Sequence, residues 1–465
     1  MVNPVQRMHQ KCPCFIAAQR RREVPLRPKN LVPMPGIFHP GAVVRVSFAI
    51  AANLAIPLLV LPPSAEARIF AQWVELGPDG ASSVRAITDD LCPQVIFDGV
   101  PTPMSVRAEP LLKVENVKPA AFPVRSCEAA VPQAAVAATL GGRALPLARP
   151  NPQRIVVFGD TGCRLDRNAI QDCNDPAAWP FPKVAAAAAN ARPDLVIHVG
   201  DYHYREQACP PERSGCARSP WGYGFDAWYA DFFEPAAPLF AAAPWIMVRG
   251  NHEDCARAGE GWIRFLDRLP ASAICRDLTG IFVARLGDFG IVVVDGARAE
   301  DPKGNMTALA GLLHDQLADV AGRVPAEAWL VAHRPLNAMR SAPDQRTNEV
   351  ENAVQELAFG GIMPPGVRMT VAGHIHFFQA VDFGALRPPQ LVVGTGGDNL
   401  SIVPPLSVVG ADINGRKVVH SVTYAGFAYM VWDRTGNLWI GTLFDADGKT
   451  LSRCRLLDRS LTCGT

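Results

Sequence analysis

The chain has 465 residues, 49% of them hydrophobic, enough for about two to three domains with sizeable cores. Its 45 basic and 44 acidic residues nearly cancel to a net charge of +1, so nothing in the balance points to a surface for a nucleic acid or other polyanion. The 38 Gly and 42 Pro exclude a mainly helical protein and suit a loop-rich chain containing β structure.

Residues 1–42 are basic, Pro-rich and without periodicity, and read as disorder or as an over-extended start. Residues 46–61 are apolar, preceded by Arg45 and followed by Pro62-Pro63-Ser64-Ala65-Glu66-Ala67. The stretch is short for a membrane span, and Ala65-Glu66-Ala67 has the small-x-small form of a signal-peptidase site. A signal peptide over 1–67, cut after Ala67, is expected, with an uncleaved anchor as its rival. Arg20-Arg21-Arg22 lies too far from the apolar core to serve as a twin-arginine signal. The mature protein is then secreted or periplasmic, with no stable membrane span. Oligomeric state is not legible.

Residues 68–150 carry strand-like pieces such as Ile69-Phe70-Ala71-Gln72-Trp73-Val74 and Gln94-Val95-Ile96-Phe97, separated by turns at Gly77-Pro78-Asp79-Gly80 and Asp98-Gly99. A small all-β sandwich domain is expected there, joined through the Pro-rich stretch 146–152 to a main domain over 151–465. In that main part strands alternate with helical patterns at 183–191, 225–240, 307–321 and 348–359, which predicts an α/β domain with a central sheet. Residues 416–457 return to β structure, with turns at 433–436 and 445–448.

Short apolar runs in this half each end in a polar turn. Ile155-Val156-Val157-Phe158 meets Gly159-Asp160-Thr161-Gly162, and Leu195-Val196-Ile197-His198-Val199 meets Gly200-Asp201-Tyr202-His203-Tyr204. Trp245-Ile246-Met247-Val248 precedes Gly250-Asn251-His252-Glu253; Trp329-Leu330-Val331-Ala332 stops at His333, and Met369-Thr370-Val371-Ala372 at Gly373-His374-Ile375-His376. Such runs read as strands buried on both faces, whose ends are where α/β sheets build sites. Asp160, Asp201, Tyr204, Asn251, His333, His374 and His376 form a donor set that suits a pair of hard-to-borderline cations better than one ion.

Twelve cysteines are present. Cys12 and Cys14 precede the export segment, and the rest fall into sequence neighbours: Cys92/Cys127, Cys163/Cys173, Cys209/Cys216, Cys255/Cys275 and Cys454/Cys463. An even number left after signal removal predicts disulfides and an oxidising compartment, against a reading as free buried thiols.

The ordered blocks Gly159-Asp160-x-Gly162, Gly200-Asp201-x-x-Tyr204, Gly250-Asn251-His252-Glu253, Leu330-x-x-His333 and Gly373-His374-x-His376 resemble the purple acid phosphatases. These belong to the calcineurin-like metallophosphoesterase superfamily. Gly394-Thr395-Gly396-Gly397 is similar to a glycine run that the family carries after its paired histidines. The resemblance spans roughly residues 153–400 and implies a four-layer αββα sandwich. It implies two metal ions, with Asp201 as the bridging carboxylate. Asp160, Tyr204 and His376 would complete the first site; Asn251, His333 and His374 would complete the second. A phenolate donor favours iron(III) at the tyrosine site, with Fe(II), Zn or Mn at the other. Metal-ligated water loses its proton far below its bulk pKa and attacks phosphorus while the cations neutralise phosphoryl charge.

His252 would contact substrate phosphate or protonate the leaving group. The family's further histidines beyond Leu-x-x-His are missing here, since 334–342 contains none. Arg334, Arg340 or His203 would stand in, though an arginine binds phosphate oxygens without readily giving up a proton. Tyr204 as a core tyrosine, Glu253 as the orienter of a histidine or as an ion-pair partner, and His198, His314 and His420 as structural residues are the bland alternatives. The leading expectation is an exported phosphomonoesterase acting on small phosphate esters. A phosphodiesterase for nucleotides or glycerophosphodiesters on the same scaffold comes second, and a non-catalytic metal or phosphate binder third.

Overall fold

Strands Arg154–Phe158, Leu195–His198 and Trp245–Met247 pair in parallel and are buried almost throughout, because both of their faces are apolar. Alternate side chains point to opposite faces. Ile155, Val157, Leu195, Ile197 and Ile246 enter one core, while Val156, Phe158, Val196, Trp245 and Met247 enter another. The computed structural model describes residues 68–112, 118–272, 274–299, 306–342, 348–401 and 407–464, all within one compact unit. The expected signal segment, with Cys12 and Cys14, lies outside the described residues.

Those three strands sit in the middle of an 11-stranded sheet that faces a second, 7-stranded sheet. In the second sheet Phe289–Val294, Glu327–Ala332, Val367–Ala372 and Gln390–Val393 run parallel. The core between the sheets holds Ile291, Trp329, Val331, Met369 and Val371 against the residues of the first. Helices Phe181–Asn190 and Glu234–Phe240 cover the outer face of the first sheet, and Met306–Ala321 and Ala353–Phe359 that of the second. This is the four-layer αββα architecture expected from the resemblance. The C-terminal strands Ala428–Thr435, Leu438–Asp445, Thr450–Leu457 and Ser460–Gly464 form a meander that extends the first sheet. No helix among the described residues is long and apolar enough to cross a membrane.

The segment 68–150 is β-rich but does not stand apart as a separate sandwich. Ile69–Leu76, Ser82–Thr88, Ser105–Ala108 and Arg125–Ala130 join the edge of the 11-stranded sheet, and only four short strands form a sheet of their own over it. The cause is that Ile69–Leu76 carries large apolar side chains on both faces. Trp73 packs under the helices, Val74 against the small sheet and Leu76 in the central core. Two buried arginines fasten the junction. Arg85 donates to the carbonyls of Phe265 and Asp267 at 2.8 and 2.9 Å, and Arg107 donates to those of Ile263 and Leu269 at 2.9 and 2.6 Å. The Ile263 and Phe265 carbonyls belong to the last turn of helix Gly259–Phe265, where backbone acceptors lack helical partners, and those of Asp267 and Leu269 follow it.

The expected helix over 348–359 starts later than its pattern. Asn348–Glu351 pairs as a hairpin with Ala338–Ser341, and Asn352 caps helix Ala353–Phe359 by accepting the Gln355 N–H at 3.2 Å. The pattern over 225–240 is helical but broken by a wide turn at Tyr229–Phe233. The five cysteine pairs are joined as their neighbourhood predicts.

Candidate metal centre

Asp160, Asp201 and His374 leave their strands with φ of 57, 58 and 68°, a left-handed backbone that costs a non-glycine residue roughly 1–2 kcal/mol. Such strain persists where the surroundings over-determine it. The Asp160 N–H donates to Gly200 O at 2.9 Å and the Thr161 N–H to Asp201 O at 3.0 Å, so the first two turns lock together. The His374 N–H donates to both oxygens of Asp160, at 3.2 and 3.0 Å. The motif glycines permit this convergence. A Cβ at Gly250 would meet Asp201 Oδ1, and one at Gly373 would meet Asp160 Oδ2.

The donors meet in one cluster. Tyr204 Oη lies 2.7 Å from Asp201 Oδ2 and 3.2 Å from both Asp160 Oδ1 and His376 Nε2. His376 Nε2 is 3.3 Å from Asp160 Oδ1. Asp201 Oδ2 is also 3.1 Å from His333 Nε2, which lies 3.0 Å from Asn251 Oδ1. One ligand atom each from Asp201, His333 and His374 falls within 4.8 Å of the others. All the donors named from the sequence are thus brought together, with Asp201 Oδ2 between the two groups. An ion with bonds of about 2.1 Å holds neighbouring donor atoms about 3 Å apart, the spacing these atoms keep. The donor set therefore fits a pair of cations.

Charge in the cluster is set by burial and by close neighbours. Burial would raise the Asp201 carboxyl, but His333, His252 and the His252 N–H hold it well below the usual range. Burial opposes a proton on His333, yet the facing Asp201 raises it to about 9. Burial, with Asp201 and Asp160 alongside, pushes the Tyr204 phenol well above its ordinary value. Burial, with Arg334 and His333 nearby, pushes His374 down, keeping its imidazole neutral as a ligand must be. The ring nitrogens opposite the donor atoms are anchored on carbonyls, His333 Nδ1 on Val199 O at 2.8 Å and His376 Nδ1 on Asn399 O at 2.7 Å. Such anchors fix ring orientation.

The candidates for proton transfer separate. His252 is partly exposed, packs with its ring centroid 4.0 Å from that of Tyr204 at a tilt of 43°, and holds Glu206 Oε1 through Nδ1 at 2.7 Å. Arg334 Nη1 lies 3.1 Å from His374 Nε2, at the cluster. His203 does not reach the open face. It is fully buried, its ring centroid 5.7 Å from that of Trp228 and 5.8 Å from that of Tyr223, within the aromatic core. Arg340 is on the 338–351 hairpin, paired with Glu349 at 3.2 Å. His198, His314 and His420 are structural, bonded respectively to Thr161 Oγ1, Ala358 O and the Cys463 N–H.

Among the described residues Glu253 makes no side-chain contact with a histidine and no ion pair. Its carboxylate accepts the N–H groups of Asp201, Tyr202, His203 and Gly250 at 2.9–3.1 Å, binding two ligand turns together. Burial and the neighbouring Asp201 raise it to about 8. Sequence reasoning missed four further residues. Asp231, on the wide helical turn, accepts the N–H groups of Cys163 and Tyr204 at 3.0 and 2.8 Å. Glu206 supports His252, and Arg164 and Asp398 pair beside Tyr204 and His376. The only linear signal was position: Glu206 lies just past Tyr204, Arg164 just past Gly162, and Asp398 directly after the glycine run.

Residues 153–378 match the family described as calcineurin-like phosphoesterase. Among solved structures the chain is similar to purple acid phosphatase PPD1 from yellow lupin (Lupinus luteus) seeds, with a TM-score of 0.51 and 15% identity over 82% of this chain and 72% of that one. It is also similar to PhoD, with a TM-score of 0.50 and 11% identity over 85% of this chain and 92% of the other. At such identities the likeness is one of fold. A comparison with curated proteins finds no match.

Proposed function

We propose, on the premise that residues 153–378 form a calcineurin-like phosphoesterase domain and the chain is a hydrolase of phosphoric esters, that it is an exported dinuclear phosphomonoesterase of the purple acid phosphatase type. The observation that carries the dinuclear reading is Asp201 Oδ2, which lies 2.7 Å from Tyr204 Oη and 3.1 Å from His333 Nε2. One carboxylate oxygen shared between two donor groups supplies the anion that two neighbouring cations need between them. Asp160, Tyr204 and His376 would hold the first ion with it, and Asn251, His333 and His374 the second. When bound, the ions supply Lewis-acid neutralisation of phosphoryl charge and acidify a water. Iron(III) is the ion proposed for the tyrosine site, with Fe(II), Zn or Mn at the other.

The chain's own residues do the rest. Glu206 fixes His252 through Nδ1, leaving Nε2 to meet a phosphoryl or leaving-group oxygen. Arg334 offers positive charge beside the second donor group. Export is supported by the five disulfides, which persist in oxidising compartments.

Two measurements test this reading. The protein should hydrolyse p-nitrophenyl phosphate faster than bis(p-nitrophenyl) phosphate, and the reverse order would make it a phosphodiesterase. The oxidised, iron-loaded protein should absorb in the visible, and Tyr204→Phe should bleach it. A colourless, fully active zinc or manganese form would overturn iron alone, and less than one ion per chain would favour a non-catalytic binder.

A further inference from the structure

The glycine run Gly394-Thr395-Gly396-Gly397 leads into Asp398, which is wholly buried. The Asp398 N–H donates to Asp160 O at 2.9 Å, so this acid is seated against the first ligand turn. Arg164 Nε lies 3.1 Å from both Asp398 oxygens, Nη2 also donates to Oδ2, and Nη1 donates to Asp166 at 3.0 Å. The guanidinium carbon stands 4.5 Å from the centroid of the Tyr204 ring. On the other flank, Asp398 Oδ2 is 3.3 Å from His376 Nδ1.

One ion pair therefore touches two donors of the tyrosine site without occupying either donor atom. Tyr204 Oη and His376 Nε2 stay directed at Asp160 and Asp201. A cation over an aromatic face stabilises that ring's π electrons, and more so where water is excluded. A carboxylate on the far nitrogen of an imidazole strengthens its other nitrogen as a donor. Arg164 draws density from the phenol, while Asp398 adds a negative charge beside an imidazole whose Nδ1 proton goes to Asn399 O. The pair thus stands over the ring of one ligand and beside the imidazole of another.

We propose that Arg164, clamped by Asp398, is a positioning residue that sets how strongly Tyr204 donates to the metal at its site. This rests on the iron–tyrosinate reading above. The visible band of such a centre moves an electron from the ring's π system to iron(III). Removing the cation raises the donor level and lowers the transition energy.

The test compares iron-loaded wild type with Arg164→Gln and Arg164→Lys by visible spectroscopy, iron content and the reduction potential of the iron couple. Arg164→Gln should move the band to longer wavelength and make the potential more negative. Arg164→Lys, which keeps the charge but cannot stay over the ring while bonding both carboxylates, should give a smaller shift in the same direction. If Arg164→Gln sheds its iron, the Lys variant decides the question by itself. An unmoved band at equal iron content, or a shift to shorter wavelength, overturns the tuning role and leaves the iron–tyrosinate reading standing. A wild type with no visible band removes that reading and this inference together.

Discussion

Asp201→Asn should leave the protein folded, with metal content below one ion per chain and phosphatase turnover down by more than the ~10³-fold that one preorganised electrostatic partner supplies. Asparagine has nearly the same shape and tolerates the left-handed backbone that residue 201 adopts at φ 58°. Its amide oxygen can still accept the His252 N–H, as Asp201 Oδ1 does at 2.9 Å. What is lost is the anionic oxygen beside Tyr204 Oη and His333 Nε2. Metal quantification, an unchanged thermal melt and kcat on p-nitrophenyl phosphate are the measurements. Near wild-type metal retention or turnover would contradict the bridging role.

Gly250→Ala should cost about 1–3 kcal/mol of stability, the usual range for overpacking, and should lower kcat/KM by about 10²-fold, as a roughly 1 Å displacement of a reacting group does. The backbone at Gly250, φ −91° and ψ 173°, accepts alanine, so the penalty is purely steric. The new methyl group meets Asp201 Oδ1, the Asp201 N–H and Glu253 Oε2. That contact pushes apart the turns that Glu253 binds together. Gly311→Ala is the control, since nothing lies within 4 Å of a Cβ in that helical position. It should gain stability by about 0.5–1 kcal/mol through helix propensity, with unchanged kinetics. Denaturant melts and initial rates check both variants, and full activity in Gly250→Ala would mean that the turns do not converge this closely.

Much of the site was legible because its donors sit at strand ends. Phe158, Val199 and Ala372 close apolar runs, and the polar residue that follows each run has few places to go. The disulfide pairs were legible for a related reason, since loops of 7 to 35 residues bring their ends together easily. How the β-rich segment 68–150 joins the main sheet was not legible, because its linear pattern matches that of a free-standing sandwich. Only the position of Trp73 and Leu76 in two different cores makes strand Ile69–Leu76 part of the main sheet. The helix expected from residue 348 failed because a local hairpin took its first turn.

His203 shows the limit most clearly. Its spacing from Asp201 places it in the motif, yet the loop after Asp201 buries its ring in the aromatic core beside Trp228. Glu206, by contrast, carried no motif and reaches His252 from 46 positions away in the chain.

The linear chain by itself determined the two-faced apolar strands, the order of the polar turns and the chemical nature of the donors, because periodicity and local turn chemistry act over a few residues. Tertiary structure alone decided which atoms share a neighbour, which histidine faces the open side, and that Arg164 and Asp398 flank the tyrosine end. Those outcomes depend on how two sheets pack and where loops cross, and residues 234 positions apart then meet with nothing in their local sequence to announce it.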